Sequence, residues 1–159
     1  MATRPSSDRL RETLFNVLAP QMQGAVFADL YAGSGAVGIE ALSRGAQQVF
    51  FVEKAAPALA AIRENLKTLA IHERFKIEPC TVATGLGRIA GCTVMYLDPP
   101  YAADEEYART LGAIDTQLTA DGIVVAEHNR KSPLAETYGV LHRYRVLEQG
   151  DAALSFYRK

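Results

Sequence analysis

Asp29-Leu30-Tyr31-Ala32-Gly33-Ser34-Gly35-Ala36-Val37-Gly38 is the stretch on which the fold is read. A complete G-x-G-x-x-G runs from Gly33 to Gly38. The apolar run 25–31 precedes it as a strand, and residues 36–44 follow as a helix closed by Gly45. A strand, a glycine turn and a helix in that order form the start of an α/β unit that holds a nucleotide or nucleoside. Glycines let the backbone turn sharply and come close to the ligand.

The same alternation extends on both sides. Upstream, Ser6, Ser7 or Asp8 can cap a helix that carries Leu10, Leu14, Val17 and Leu18 on one face and ends near Pro20. Downstream, 48–53 reads as a strand, and Pro57 opens a helix with Leu59, Ile62, Leu66 and Leu69 along one side. Strands are expected at 75–78, 93–98 and 123–127, with a helix near 105–117 between the last two. Residues 141–147 and 152–157 form a closing antiparallel pair around Gln149-Gly150-Asp151. Such a chain predicts a mainly parallel sheet covered on both faces, with its ligands beyond the carboxyl ends of the strands.

At 159 residues, 48% hydrophobic and 22% charged, the chain has the composition of one globular domain. Residues 1–20 form a leading helix segment and 25–159 a catalytic core. No apolar run approaches the roughly 20 residues needed to cross a bilayer, and the N-terminus lacks the apolar segment of a secretion signal. A soluble, cytoplasmic, monomeric protein without a membrane partner is expected. Cys80 and Cys92 are too far apart for a Cys-x-x-Cys motif, and His72, His128 and His142 are scattered, so no metal site is expected. A net charge of -1 excludes indiscriminate coating of nucleic acid, which rests on many Lys and Arg contacts to phosphate. Any such partner must be met locally, by Arg4, Arg9 and Arg11 or by Arg130, Lys131, Arg143 and Arg145.

Two carboxylates refine the ligand. Glu53, 18 residues beyond Gly35 at the end of the second strand, can accept hydrogen bonds from both ribose hydroxyls. On the glycines alone a dinucleotide dehydrogenase fits nearly as well. Asp29, close to the turn, would repel a pyrophosphate but suits the ammonium and sulfonium of S-adenosylmethionine. A second motif, Leu97-Asp98-Pro99-Pro100-Tyr101, follows an apolar strand. Two consecutive prolines cannot continue a sheet or enter a helix interior, so the chain must leave in a stiff turn. That turn presents the Asp98 carboxylate and Pro99 carbonyl as acceptors beside the Tyr101 ring, the complement of a planar base that bears an amino group.

These residues together resemble the bacterial 16S ribosomal RNA guanine-N2 methyltransferases called RsmD. The resemblance rests on Arg4-Pro5-Ser6-Ser7-Asp8-Arg9-Leu10-Arg11-Glu12-Thr13-Leu14-Phe15-Asn16 and on the glycine turn followed by Glu40-Ala41-Leu42-Ser43-Arg44-Gly45-Ala46. Phe51-Val52-Glu53, the Asp-Pro-Pro-Tyr element, Glu127-His128 and Leu154-Ser155-Phe156-Tyr157 extend it. It implies a Rossmann-like, seven-stranded class I sheet with an antiparallel last strand, and S-adenosylmethionine as methyl donor. It implies cofactor contacts from Asp29, Tyr31, Gly33, Ser34, Gly35, Glu53, Lys54, Thr81 and Val82. Asp98, Pro99, Pro100 and Tyr101 become the catalytic turn. Arg4, Arg9, Asn16 and His128 become contacts to ribosomal RNA or a partly assembled small subunit.

Two departures from the family accompany the likeness. The family usually begins with roughly 20 more residues before the Arg-Pro signature, which suggests trimming or a reduced RNA-facing surface. In addition, Pro79-Cys80-Thr81-Val82-Ala83-Thr84 lacks the acid that related enzymes place against adenine, which predicts weaker cofactor binding. The Asp-Pro-Pro-Tyr logic also serves adenine-N6 methylation of DNA or RNA. A silent domain that binds RNA or protein is the reading outside enzymes.

Overall fold

The computed structural model describes residues 5–100 and 104–159. Arg4 and Tyr101, both candidate site residues, lie outside them. In chain order the elements are α1 (Pro5–Met22), β1 (Val26–Leu30), α2 (Ala36–Ser43), β2 (Gln48–Val52), α3 (Ala56–Thr68), β3 (Phe75–Glu78) and α4 (Val82–Gly85). There follow β4 (Cys92–Leu97), α5 (Asp104–Ala113), β5 (Leu118–Asn129), β6 (Thr137–Tyr138), β7 (Leu141–Gln149) and β8 (Ala152–Arg158).

All the strands join one sheet in the order β3-β2-β1-β4-β5-β8-β7-β6. The pairings from β3 through β5 are parallel, and β8 enters antiparallel between β5 and β7. The expected closing hairpin is thus present. An eighth strand, the two-residue β6, extends the seven by pairing with β7. Chain order reverses at β1, whose neighbours are β2 and β4, and a crevice opens at that reversal beyond the carboxyl ends.

Pleating sorts the strand residues between two cores. Phe27, Phe51, Tyr96, Val125 and Phe156 face α1, α2 and α3, and Leu30, Val52, Leu97, Ala126 and Tyr157 share the other core. Helix α1 is held by Leu14, Phe15 and Leu18, at most 1% exposed. Each such side chain contributes about 1.5–3 kcal/mol on burial. The helix does not stop near Pro20 but continues to Met22. Proline removes one N–H from the last turn, and burial of Met22 at 2% exposure keeps that turn on the sheet. Helix α5 ends at Ala113 instead of near 117 because residues 115–118 form a turn, in which the Leu118 N–H donates to the Asp115 carbonyl at 3.1 Å. Strand β5 starts earlier than expected, at Leu118, and its register against β4 shifts between Cys92 and Val94.

The last glycine of the turn serves packing. A Cβ on Gly38 would stand 2.4 Å from Phe51 Cε1 and 2.9 Å from Val49 Cγ1. This closeness lets α2 lie against β2. Gly38→Ala should therefore destabilise the protein by about 2 kcal/mol despite alanine's higher helix propensity. A fall in Tm of about 4–8 °C in a thermal melt is the expected readout, and an unchanged Tm would contradict this packing role.

Candidate active site

Register brings the site together. Val52, Leu30, Leu97 and Ala126 stand side by side across β2, β1, β4 and β5. The next residues along these strands are Glu53, Tyr31, Asp98 and Glu127, so one lip of the sheet gathers three carboxylates and a phenol. Two rows below that lip lies Asp29, level with Tyr96.

Asp29 is 2% exposed, and its Oδ2 accepts a hydrogen bond from the Gly38 N–H at 2.9 Å. The carboxylate therefore binds the first turn of α2 to the end of β1. Burial pushes its pKa up to about 8 against the lowering effect of the Gly38 bond, and the charges of Asp98 and Glu53 push it further in the same direction. Glu53 braces the turn from the other side, with Oε1 accepting from Gly33 N–H at 2.8 Å and Oε2 from Ala55 N–H at 2.9 Å. Gly33 and Gly35 adopt φ of +58° and +81°, in the left-handed region open to glycine. A Cβ on Gly33 would meet nothing within 4 Å, so the turn faces open space there. The Ser34 carbonyl accepts from Asn65 Nδ2 at 2.9 Å.

Tyr31 has φ +59° and packs with the second core instead of the first. Its hydroxyl donates to Glu106 and lies 2.7 Å from Thr110 Oγ1, which ties the glycine turn to α5. Burial and the Glu106 bond push its pKa up. Lys54 is exposed. Thr81 caps α4, its Oγ1 accepting from Thr84 N–H at 3.2 Å, and Val82 is buried. An acid does stand near this loop, one residue before Pro79: Glu78 ends β3, buried at 4% exposure, and is 3.2 Å from Lys76 Nζ and 3.6 Å from Arg88 Nη1.

A cleft of about 840 Å³ opens between α1, the end of β4, β5 and the β7–β8 reversal. Arg9, Asn16, Asp98 and His128 all line it, so four candidates scattered through the sequence share one cavity. Thr13 Oγ1 donates to Gln149 Oε1 at 2.7 Å and joins α1 to that reversal. Burial, and then the adjacent charge of Glu127, push the Asp98 carboxyl up to about 7. His128 is 7% exposed: Nε2 meets Ser155 Oγ at 2.7 Å, and Nδ1 faces the carbonyls of Asn129 and Ser132 at 3.0 and 3.2 Å. Both its ring nitrogens are thus engaged within the protein.

The sequence reading left out Glu127 as a site residue, together with the two tyrosines around it. Tyr96 donates its hydroxyl to Glu127 Oε1, and Tyr107 donates to the Glu127 carbonyl at 2.6 Å. A signal was present, since Glu127 closes the strand expected at 123–127 as Glu53 closes that at 48–53, although β5 runs on to Asn129. Arg143 Nη1 donates to the Leu134 carbonyl at 2.9 Å, Arg145 covers the Phe156 ring, and Arg130 stands 3.8 Å from Glu148.

Among the described residues no ion pair reaches Asp29, Glu53, Asp98 or Glu127. These mutually repelling acids around an open glycine turn fit a cationic ligand and oppose a pyrophosphate. The strand order, the acid-flanked turn after β1 and the Asp-Pro-Pro exit from β4 together define a Rossmann-like class I methyltransferase. The chain belongs to the family described as "Conserved hypothetical protein 95", which matches residues 1–158.

It is similar to the "Putative rRNA methyltransferase YlbH" of Bacillus subtilis, with 36% identity over 164 residues, 99% of this chain and 89% of that protein. It shares 36% identity over 161 residues with the "Ribosomal RNA small subunit methyltransferase D" of Escherichia coli K12, 98% of this chain and 79% of that one. The solved structure of "Putative methyltransferase yhhF from Escherichia coli" superposes with a TM-score of 0.86 at 27% identity, covering 99% of this chain and 89% of that chain.

Asp29 yields a prediction with a definite sign. Its folded pKa of about 8 exceeds the unfolded carboxylate value, so the folded state holds the proton that the unfolded state gives up. This residue's contribution to stability therefore falls as pH rises from about 4 to 8 and is lowest above 8. Asp29→Asn should raise Tm relative to wild type more at pH 8 than at pH 5. A difference independent of pH would show that Asp29 ionises normally.

Proposed function

We propose that this methyltransferase transfers a methyl group from S-adenosylmethionine to the exocyclic N2 amine of a guanine in small-subunit ribosomal RNA. The observation that carries the proposal is the Asp98-Pro99-Pro100 turn, in register with the glycine turn and facing the cleft that α1 closes. The names of the two curated relatives support the RNA substrate. With that substrate the enzyme works in the cytoplasm, on a partly assembled small subunit.

The bound cofactor supplies an electrophilic methyl group on a sulfonium. Asp29 and the backbone of Gly33, Ser34 and Gly35 hold its methionine end, and Asp29 gains a cation that favours its ionised form. Glu53, with lone pairs left over from its two backbone bonds, takes the ribose hydroxyls. Lys54, Thr81 and Val82 border the adenine, and Tyr31 fixes the turn to α5. On the substrate side, the Asp98 carboxylate and Pro99 carbonyl accept the two N–H bonds of the amine. Those bonds concentrate the nitrogen lone pair that the ring otherwise withdraws, and they aim it at the methyl group. Tyr101 stacks on the base. Arg4 and Arg9 take phosphates, while Asn16 and His128 line the approach. The target nucleotide must leave its helix to enter such a cleft.

Asp98→Ala should lower kcat for methyl transfer by about 10²–10³-fold, with cofactor affinity in calorimetry nearly unchanged. Full activity in that variant would defeat the mechanism. Because Asp98 must be ionised to accept its N–H of the amine at full strength, kcat/KM for RNA should fall as pH drops through about 7. A flat profile between pH 6 and 8 would remove Asp98 from the amine.

A further inference from the structure

We infer that Glu127 is the residue that selects guanine over other purines, by accepting the N1–H that lies beside the methylated amine. The inference rests on the guanine-N2 reading above and adds to it the group that enforces the choice of base.

Glu127 lines the same cleft as Asp98 and immediately follows Ala126, which pairs with Leu97, the residue before Asp98. The two carboxylates therefore stand side by side, Asp98 just past the end of β4 and Glu127 in the neighbouring β5. Glu127 is also held from two sides. Tyr96, buried two residues before Asp98, donates to its Oε1, and Tyr107, from the helix that follows the Asp-Pro-Pro turn, donates to its backbone carbonyl. The elements on both sides of the amine-holding turn thus aim this carboxylate as well. Asp98 and Glu127 also share a side-chain hydrogen bond, so the two carboxyls stand within reach of one another and of a single ligand edge.

A pair of adjacent carboxylates is costly unless hydrogen-bond donors meet it. Purine chemistry decides which base can do so. The Watson–Crick edge of guanine offers N2–H and N1–H side by side, two donors for two acids. Adenine offers one amine beside an N1 that is itself an acceptor, and that N1 would face a carboxylate with no proton between them. 2-Aminopurine isolates the effect, since it keeps the 2-amine but carries a bare N1. A half-buried acid left unmatched in this way discriminates by about tenfold to a hundredfold.

The test uses small-subunit particles assembled on RNA whose methylated nucleotide, first mapped by nucleoside mass spectrometry, is either guanine or, by splinted ligation, 2-aminopurine. Wild-type protein should show a kcat/KM about tenfold to a hundredfold higher for guanine. Glu127→Gln can turn its amide to donate to a bare N1, so its ratio should shrink to within about threefold. Tyr96→Phe, which keeps the ring in the core and releases Glu127, should lower the ratio partway. Equal wild-type rates on the two particles overturn the inference without reference to any variant. So does a Glu127→Gln protein that loses activity equally on both. If wild type instead methylates the N6 of adenine, the guanine reading fails and this inference fails with it. If N2-methylguanine forms but the ratio does not respond to Glu127→Gln or Tyr96→Phe, only the inference falls.

Discussion

A single buried hydrogen bond, from the Gly38 N–H to the Asp29 carboxylate, holds the chain's functional end in shape. It joins the central strand to the helix that follows and obliges the backbone between them to bend through Gly33 and Gly35. The helix can come this close only because Gly38 carries no side chain against Phe51 and Val49. With α2 fixed in this way, Glu53 meets the turn from the next strand, and Tyr31 is directed across the sheet toward α5. The cost is a carboxylate in a desolvated place whose proton is hard to remove. A site built on that cost is poised for a cation.

The sheet multiplies this one arrangement. Parallel pairing in register brings the residues after Val52 in β2, Leu97 in β4 and Ala126 within β5 to the same lip, and all three are acids. Each acid has a different support. Glu53 is held by backbone N–H groups, Asp98 by the rigidity of two prolines, and Glu127 by a tyrosine from the neighbouring strand. In the proposed reading these different supports suit different tasks, one toward a ribose and two toward the donors of a base. The cationic residues that could meet phosphate stand on α1, on the opposite wall of the cleft.

Helix α1 shows how one element serves two purposes. Its Leu14, Phe15 and Leu18 are core residues, while Arg9, Thr13 and Asn16 form a wall of the cleft. The Thr13–Gln149 bond closes that wall against the terminal hairpin, so the first and last parts of the chain shape the same cavity. The hairpin is therefore more than a sheet edge, since its reversal is one side of the cleft.

Local patterning was enough to read the alternation of strands and helices, the glycine turn, Glu53 and the Asp-Pro-Pro exit, because each depends on residues adjacent in the chain. Gly, Pro and an acid at a strand end carry their conformational meaning wherever they occur. The continuation of α1 through Pro20 and the early end of α5 were not legible, since long-range burial of Met22 and the turn at 115–118 settled them. Nor was the role of Glu127 as a partner of Asp98, which depends on the pairing of β4 with β5 and on hydroxyls from Tyr96 and Tyr107, 31 and 20 residues away. His128 looked equally available in the sequence, yet Ser155 and two carbonyls take up its ring nitrogens. The sequence by itself determined which groups stand at the strand ends, because periodicity and turn chemistry are local. Tertiary structure alone decided which of them share a cavity and which are already satisfied, because hydrogen bonds and strand register join residues that the chain keeps apart.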